Sequence, residues 1–220
     1  MNLTTEKPIL FNTEMVQAIL QGRKASTRRI IKPQPKYALR QRNIDKGTND
    51  WNEYGNKIDE VTGSNWGTGR ICRYKPGDIL YVRETWANTW TPDGEEGFVY
   101  RADGEPPEFP YWGNEKQCKD EVWIPSIHMP KIAARIFLKV TDIKAQRLQD
   151  ITEDEAKAEG ITEKASYDEY TQKFFNSDND NYKYGFGKLW NSCGYKWPSS
   201  WSGNPWVWVI EFQRSENSGK

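Results

Sequence analysis

The sequence predicts an α+β fold, a small mixed or antiparallel β-barrel with one or two short helices, enlarged by aromatic-rich insertions. Three segments, residues 79–86, 132–140 and 206–212, alternate apolar side chains with the period of a β-strand. Two others, residues 12–22 and 152–160, carry the start and stop signals of short helices. The order helix, basic loop, strand, strand, strand, short helix, strand is typical of a small barrel.

Composition indicates a folded chain with a polar surface. Of the 220 residues, 36% are hydrophobic and 14% aromatic, with 11 Trp, a content that disordered chains lack. This length can bury a sizeable core. We expect a single domain over residues 1–220, with insertions at about 33–70, 87–125 and 165–200, where Pro, Gly and aromatic residues are frequent.

The cysteines and the N-terminus exclude several classes of protein. There are 3 cysteines, widely spaced and without a C-x-x-C pair, so we expect neither a disulfide framework nor a zinc site. A reducing cytoplasm is the expected location. No signal-peptide pattern begins the chain and no apolar run approaches 18 residues, so no membrane contact is expected.

Charge is balanced overall but unevenly distributed. The 31 Lys and Arg equal the 31 Asp and Glu, yet residues 23–46 contain nine basic residues against one acid. Residues 150–180 contain ten acids against three lysines. The basic run, with Tyr37, Trp51 and Trp66 nearby, suits phosphate contacts and base stacking, and its alternative interpretation is a solvated loop.

The first helix is predicted over "FNTEMVQAILQG". Asn12 or Thr13 supplies the N-cap oxygen and Gly22 ends the helix. The basic stretch "RKASTRRIIK" starts where this helix stops. The negative end of the helix dipole favours Arg23 and Lys24 there even without a ligand.

Residues 33–70 are interpreted as a long excursion that holds a hairpin. In the strand that follows, Leu80, Val82, Glu84 and Trp86 share one face. A carboxylate on that face is costly unless paired, and Lys24 or Arg29 would be its natural partner, with a purely structural salt bridge as the alternative. Trp86 either stacks on a base or packs in the core.

The second half of the chain gives three further elements and one ambiguous segment. The alternation from Ile132 to Val140 predicts a long strand, and Thr152 with Glu155 forms a capping-box pattern for a helix that stops at Gly160. Amphipathic spacing favours helices over residues 167–175 and near 186–191. The chain closes with a buried strand, "NPWVWVIEFQR".

The stretch "ILQGRKASTRRI" resembles the signature of the ASCH domain, a branch of the PUA-like superfamily, at Gly22, Lys24, Thr27 and Arg29. The segments "KPGDILYVRETW", "RIFLKVTDIKAQRLQDITEDEAKAEGI" and "WVWVIEF" also fall where that family places its barrel strands and the helix after the long strand. The resemblance implies a PUA-like barrel and is nearest to the larger bacteriophage and prophage members.

The resemblance also implies a site. One group of small ASCH proteins hydrolyses the acetyl amide of 4-acetylcytidine, and its catalytic residues correspond to Lys24, Thr27 and Glu159 here. Other members are associated with RNA binding, with reading modified bases or with ribonuclease activity. This sequence departs from the pattern in having Ala25-Ser26 in place of the more usual Thr-x pair. The candidate binding residues around the catalytic set are Gly22, Arg23, Arg28, Arg29, Glu84 and Trp86.

Catalysis at this site has a physical rationale. Neighbouring cations lower the pKa of Lys24, which can then take the proton of the Thr27 hydroxyl, while Glu159 delivers a proton to the leaving amine. The alternative for Lys24 and Thr27 is a basic turn after a helix followed by a β-branched strand residue. For Glu159 it is a solvated helix carboxylate.

Three functions follow as hypotheses. The first is binding of RNA or a modified nucleoside in a pocket of Lys24, Thr27, Arg29, Glu84 and Glu159. The second is hydrolysis of an acylated cytidine or of RNA by the same residues, and the third is contact with a host protein through the aromatic insertions. His128 is the only histidine and is not expected to be catalytic, and neither a metal nor a nucleotide cofactor is implied. The oligomeric state is not predicted.

Overall fold

A computed structural model describes residues 6–35, 38–41, 50–54, 69–90, 96–104, 123–178 and 180–215 of the chain. The helices are α1 (Thr13–Leu20), α2 (Glu153–Ala158) and α3 (Tyr182–Ser192). The strands are β1 (Glu6–Leu10), β2 (Ser26–Ile30), β3 (Ala38–Gln41), β4 (Asp50–Tyr54), β5 (Gly69–Ile71), β6 (Ile79–Arg83), β7 (Trp86–Trp90), β8 (Glu96–Tyr100), β9 (Phe137–Arg147), β10 (Ser166–Asp168), β11 (Lys173–Phe175) and β12 (Trp206–Arg214).

The predicted α+β class is confirmed, because strands predominate and the helices are few and short. The described strands form open sheets, and the PUA-like barrel stays a prediction. The chain divides into two compact units. The first comprises Met1–Gly22, Asp78–Lys139 and Arg214–Lys220, and the second comprises Arg23–Gly77 and Val140–Gln213. The single domain expected over residues 1–220 also stays a prediction.

In the first unit, β1 pairs in parallel with β6, and β6 pairs antiparallel with the first residues of β9. The N-cap of α1 is Asn12, whose side chain accepts the N–H of Met15, and Gly22 has a φ of +72° just past the helix end. This positive φ explains the glycine at that position. The β7–β8 hairpin lies in the stretch expected to be an insertion.

In the second unit, β12 lies between β9 and β2 and pairs antiparallel with β2. Helices α2 and α3 cover a core that includes Leu148, Phe186 and Val209. Trp201 is 1% exposed and its ring centroid lies 6.2 to 6.4 Å from those of Tyr167, Phe174, Tyr184 and Phe186. Each fully buried side chain of this size contributes about 1.5–3 kcal/mol.

The predicted hairpin within residues 33–70 corresponds to the antiparallel β3–β4 pair, to which β5 adds a third strand. The strand predicted over residues 79–86 is present as β6 only up to Arg83, with Leu80, Val82 and Glu84 buried. Trp86, predicted on the same strand, instead begins β7. The terminal strand is also confirmed as β12.

The prediction of a helix over residues 167–175 is wrong. That segment is the β10–β11 hairpin, in which Tyr167 faces Phe174. Asp168 Oδ1 accepts the N–H groups of Tyr170 and Thr171, and Gln172 has a positive φ of 54°. Hydrogen bonds from a side chain to the nearby backbone compete with helix formation, and here they stabilise the turn of the hairpin instead.

The long strand starts later than predicted. Ile132 is 82% exposed and lies in a 3₁₀ turn, Lys131–Ala133, whose last N–H bonds the carbonyl of Pro130. Because this turn follows the proline directly, regular alternation begins only with β9 at Phe137.

Helix α2 shows the predicted capping box. The Thr152 hydroxyl accepts the N–H of Glu155 at 3.2 Å, and the Glu155 carboxylate accepts the N–H of Thr152 at 3.0 Å. Gly160, the predicted stop, has a φ of +88°. The sequence therefore specifies both ends of the helix that carries Glu155 and Glu159.

Removing this cap should destabilise the protein. Thr152→Ala leaves the N–H of Glu155 without its acceptor, and we expect a loss of about 1 kcal/mol in the free energy of unfolding. Urea denaturation followed by far-UV circular dichroism measures this loss. Thr152→Ser keeps the hydroxyl and should match the parent protein, whereas equal stability of all three proteins would contradict the capping role.

Candidate functional site

The basic stretch after Gly22 closes the C-terminal end of α2. Arg23 Nη1 donates to the carbonyl oxygen of Gly160 at 2.8 Å, and Lys24 Nζ donates to that of Glu159 at 2.9 Å. The backbone N–H of Ala25 donates to the carbonyl of Ala158 at 2.8 Å. Three consecutive residues thus satisfy carbonyls that a helix end leaves without intrahelical partners.

Lys24 and Glu159 form a buried ion pair. The distance from Lys24 Nζ to Glu159 Oε2 is 2.7 Å, and the two side chains are 1% and 4% exposed. Burial lowers the pKa of Lys24 below its ordinary value; the charge of Glu159 opposes this change, and the charges of Arg29 and Arg28 add to it. The lysine is therefore easier to deprotonate than one in solvent.

Arg28 joins this pair from strand β2. Its Nη1 donates to Glu159 Oε1 at 3.0 Å, and its Nη2 donates to Glu155 Oε2 at 2.9 Å. Glu155 and Glu159 are four residues apart, so both carboxylates lie on one side of the helix. The guanidinium also lies over the ring of Phe186, 5.5 Å from its centroid. One buried arginine thereby bridges two acids.

Glu155 connects the cluster to the edge of the unit. Its carboxylate accepts hydrogen bonds from Lys144 Nζ at 2.5 Å and from Gln146 Nε2 at 3.4 Å. Burial alone would raise the pKa of Glu155, but the bonds from Lys144 and the Thr152 N–H and the charge of Arg28 outweigh it. The pKa therefore lies below its ordinary value, and the carboxylate stays charged at neutral pH.

The predicted site residues of β2 lie on two faces of the strand. Successive side chains of a strand point to opposite sides, so Ser26 and Arg28 share one face while Thr27 and Arg29 share the other. Lys24 belongs with Arg28, because both bind the Glu159 carboxylate. The structure thus brings Lys24, Arg28 and Glu159 together and directs Thr27, which pairs with Ile210 in the sheet, to the opposite side.

Glu84 is paired within the first unit. Arg135 donates from Nε to Glu84 Oε1 at 3.0 Å and from Nη2 to Oε2 at 3.1 Å, and it also binds Asp103. The Arg135 guanidinium lies 3.9 Å from the ring centroid of Tyr100. Burial raises the pKa of Glu84, and the bonds from Arg135 oppose this change. Glu84 has the geometry of the structural salt bridge that was its alternative interpretation.

The other candidate residues either lie in the first unit or fall outside the described residues. Trp86 is buried and packs edge-on against Phe98 at 5.5 Å, with Met129 and Ala133 beside it. His128 is exposed in a 3₁₀ turn. Five residues of the basic run and its aromatics lie outside the described residues: Lys36, Tyr37, Arg42, Lys46 and Trp66.

Over the described residues, no group of three or more His, Cys, Asp or Glu is arranged to hold a metal ion. None of the helices described is long and apolar enough to cross a membrane.

Comparison with known proteins yields no relative. No family model, no curated protein and no solved structure matches the chain. The site therefore rests on its own geometry.

Sequence reasoning missed part of the cluster. The sequence predicts Glu155 only as a capping residue and does not predict Lys144 as a site residue. The i, i+4 spacing of Glu155 and Glu159, set against Lys24 and Arg28 at the same interval, was an available signal that two acids and two cations can meet.

The buried pair should be costly to break. Lys24→Met leaves the Glu159 carboxylate with one fewer cation in a buried position, and we expect a loss of about 3–5 kcal/mol in the free energy of unfolding. Lys188→Met is the matched control, because Lys188 is 52% exposed and 3.9 Å from Glu163. The control should cost less than about 1 kcal/mol. Equal losses in urea denaturation would show that burial of Lys24 carries no such penalty.

The pKa of Glu155 predicts a pH dependence. A carboxyl whose pKa is lowered by folding stabilises the native state above its unfolded pKa, near 4.5, and this stabilisation is lost as the pH falls through the folded value. Stability should therefore fall less below pH 4.5 in Glu155→Gln, which retains the capping geometry, than in the parent protein. Denaturation midpoints measured across the acid range test this, with the exposed Glu163→Gln as a control that follows the parent. A parallel fall in all three proteins would contradict the assigned shift.

Proposed function

We propose that the protein is an ASCH-type, PUA-like protein that binds RNA or a modified nucleoside at the Lys24–Glu159 pair. One observation carries the proposal. The lysine and the glutamate that the resemblance assigns to the site lie 135 positions apart in the sequence, yet their side chains are in contact at 2.7 Å. Spacing in the sequence shows only that acids and cations can meet, whereas the resemblance assigns Lys24 and Glu159 to one site.

The chemistry of the pair suits a nucleobase. A lysine ammonium is a donor only and a carboxylate an acceptor only. Side by side they match the edge of a base such as cytosine, which presents ring acceptors next to an exocyclic amino donor. Because the two side chains are almost wholly buried, a ligand reaches them only after local opening, and association is expected to be slower than about 10⁵ M⁻¹ s⁻¹.

A second candidate is hydrolysis of an acylated cytidine. It is favoured by the lowered pKa of Lys24, which suits a general base. The position of Thr27 supports it less, because this residue lies on the face of β2 opposite to the residues that bind Glu159. We therefore rank binding before catalysis, and leave the alternatives of RNA cleavage and host-protein contact without structural support of their own.

Binding can be tested by calorimetric titration of the full chain with cytidine, 4-acetylcytidine and a single-stranded RNA. We expect Glu159→Gln to weaken nucleoside affinity by about tenfold or more, since it removes the charge that orients Lys24. RNA affinity should fall with rising salt. Release of acetate from 4-acetylcytidine, measured in parallel, separates the enzyme from the binder.

The matched control is Lys157→Gln, which changes an exposed residue of the same helix and should leave affinity unchanged. Circular dichroism of each variant shows that it is folded at the titration temperature. Absence of binding by the parent protein, or undiminished binding by Glu159→Gln, would overturn the proposal.

A further inference from the structure

Ser26 lies on the same face of the chain as the buried cations. Within β2 it is two residues from Arg28, and side chains two apart in a strand point to the same side, with α-carbons about 6.5–7 Å apart. Arg28 and Lys24 bind opposite oxygens of one carboxylate. The hydroxyl that accompanies the Lys24–Glu159 pair on its own face is therefore that of Ser26.

Within the described part of the chain, two polar atoms on this face have no hydrogen-bond partner. Ser26 is 4% exposed and Arg28 is 3% exposed. Considering the residues that the structure describes, neither Ser26 Oγ nor Arg28 Nε takes part in a hydrogen bond. Most buried polar atoms in native proteins are hydrogen-bonded, so two such atoms on neighbouring side chains are a cost to the fold.

We propose that Ser26 Oγ and Arg28 Nε form a subsite for a carbonyl oxygen of a pyrimidine nucleoside. This inference rests on the proposed function, which supplies the ligand class. The guanidinium Nε–H can only donate and the hydroxyl can donate as well, so together they recognise an acceptor oxygen.

The surrounding charges favour a neutral acceptor over an anion. Lys24 and Arg28 are balanced by Glu155 and Glu159, whose carboxylates lie within 3.0 Å of these cations. A phosphate or carboxylate placed beside the two acids would be repelled by them. An amide or ring carbonyl accepts the same hydrogen bonds without that penalty.

The assignment separates two adjacent hydroxyls. Thr27 is the residue that the family resemblance selects, but it projects from the other face of β2 together with Arg29. Ser26 belongs to the Ala25-Ser26 pair, at which this sequence departs from the family pattern. The proposed subsite gives this departure a role in ligand binding.

Ser26→Ala tests the subsite with cytidine and 4-acetylcytidine as probes. We expect its affinity for these nucleosides to fall about tenfold, as for a lost hydrogen bond to a buried partner, while Ser26→Thr retains the hydroxyl and most of the affinity. Ser200→Ala, which removes another buried serine hydroxyl of the same unit, is the matched control and should bind as the parent does. Without ligand, Ser26→Ala should melt at the same temperature as the parent or higher, since it removes an unsatisfied group.

The outcomes distinguish this inference from the proposed function. Nucleoside binding that Ser26→Ala leaves intact, or that Thr27→Val weakens more than Ser26→Ala does, overturns the subsite and keeps the proposed function. A melting temperature lowered by more than about 2–4 °C in unliganded Ser26→Ala shows a structural hydroxyl and also overturns it. If the parent binds no nucleoside, the proposed function fails, and the subsite, which takes its ligand class from that function, fails with it.

Discussion

The second unit depends on neutralising two buried cations, Arg28 in strand β2 and Lys24 just before that strand. Lys24 and Arg28 lose their hydration on folding, and only well-placed carboxylates can offset that loss. Glu155 and Glu159 offset it from one side of α2. The helix must therefore have a fixed rotation and a fixed length. The capping box at its start and the contacts of residues 23–25 at its end provide both.

The first unit solves the same problem in a different way. Glu84 is a single buried acid whose two oxygens both accept hydrogen bonds from Arg135, with the ring of Tyr100 against the guanidinium. Glu159 instead shares its oxygens between a lysine and an arginine. The Arg135 side chain is partly exposed, whereas those of Lys24 and Arg28 are buried. The enclosed cluster is the one in which a change of protonation or of partner has the larger energetic effect.

Features set by neighbouring residues, such as helix caps and strand alternation, could be predicted from the sequence. Contacts between residues far apart in the sequence could not. Caps and alternation lie within a few residues, so α2 and β12 followed from the sequence. The β10–β11 hairpin did not, because the turn at Asp168 is decided by hydrogen bonds that an amphipathic pattern does not encode. The prediction that Lys24 and Glu159 belong to one site was based on the family resemblance alone. By contrast, the opposite directions of Ser26 and Thr27 follow from strand alternation and needed no structure.

A purely structural cluster should satisfy all of its members, since a partly satisfied buried network is less stable than an apolar core. The Glu84–Arg135 fork meets this condition for both carboxylate oxygens. The cluster at Lys24 does not. Elsewhere in the described chain, the buried atoms without a hydrogen-bond partner include Arg83 Nε and the indole nitrogens of Trp86 and Trp206. Ser26 and Arg28 differ in placing two such atoms on one strand face beside a buried ion pair. Local violations of this kind are expected where a ligand completes the network, and for this reason we propose the face of Ser26, rather than that of Thr27, as the binding face.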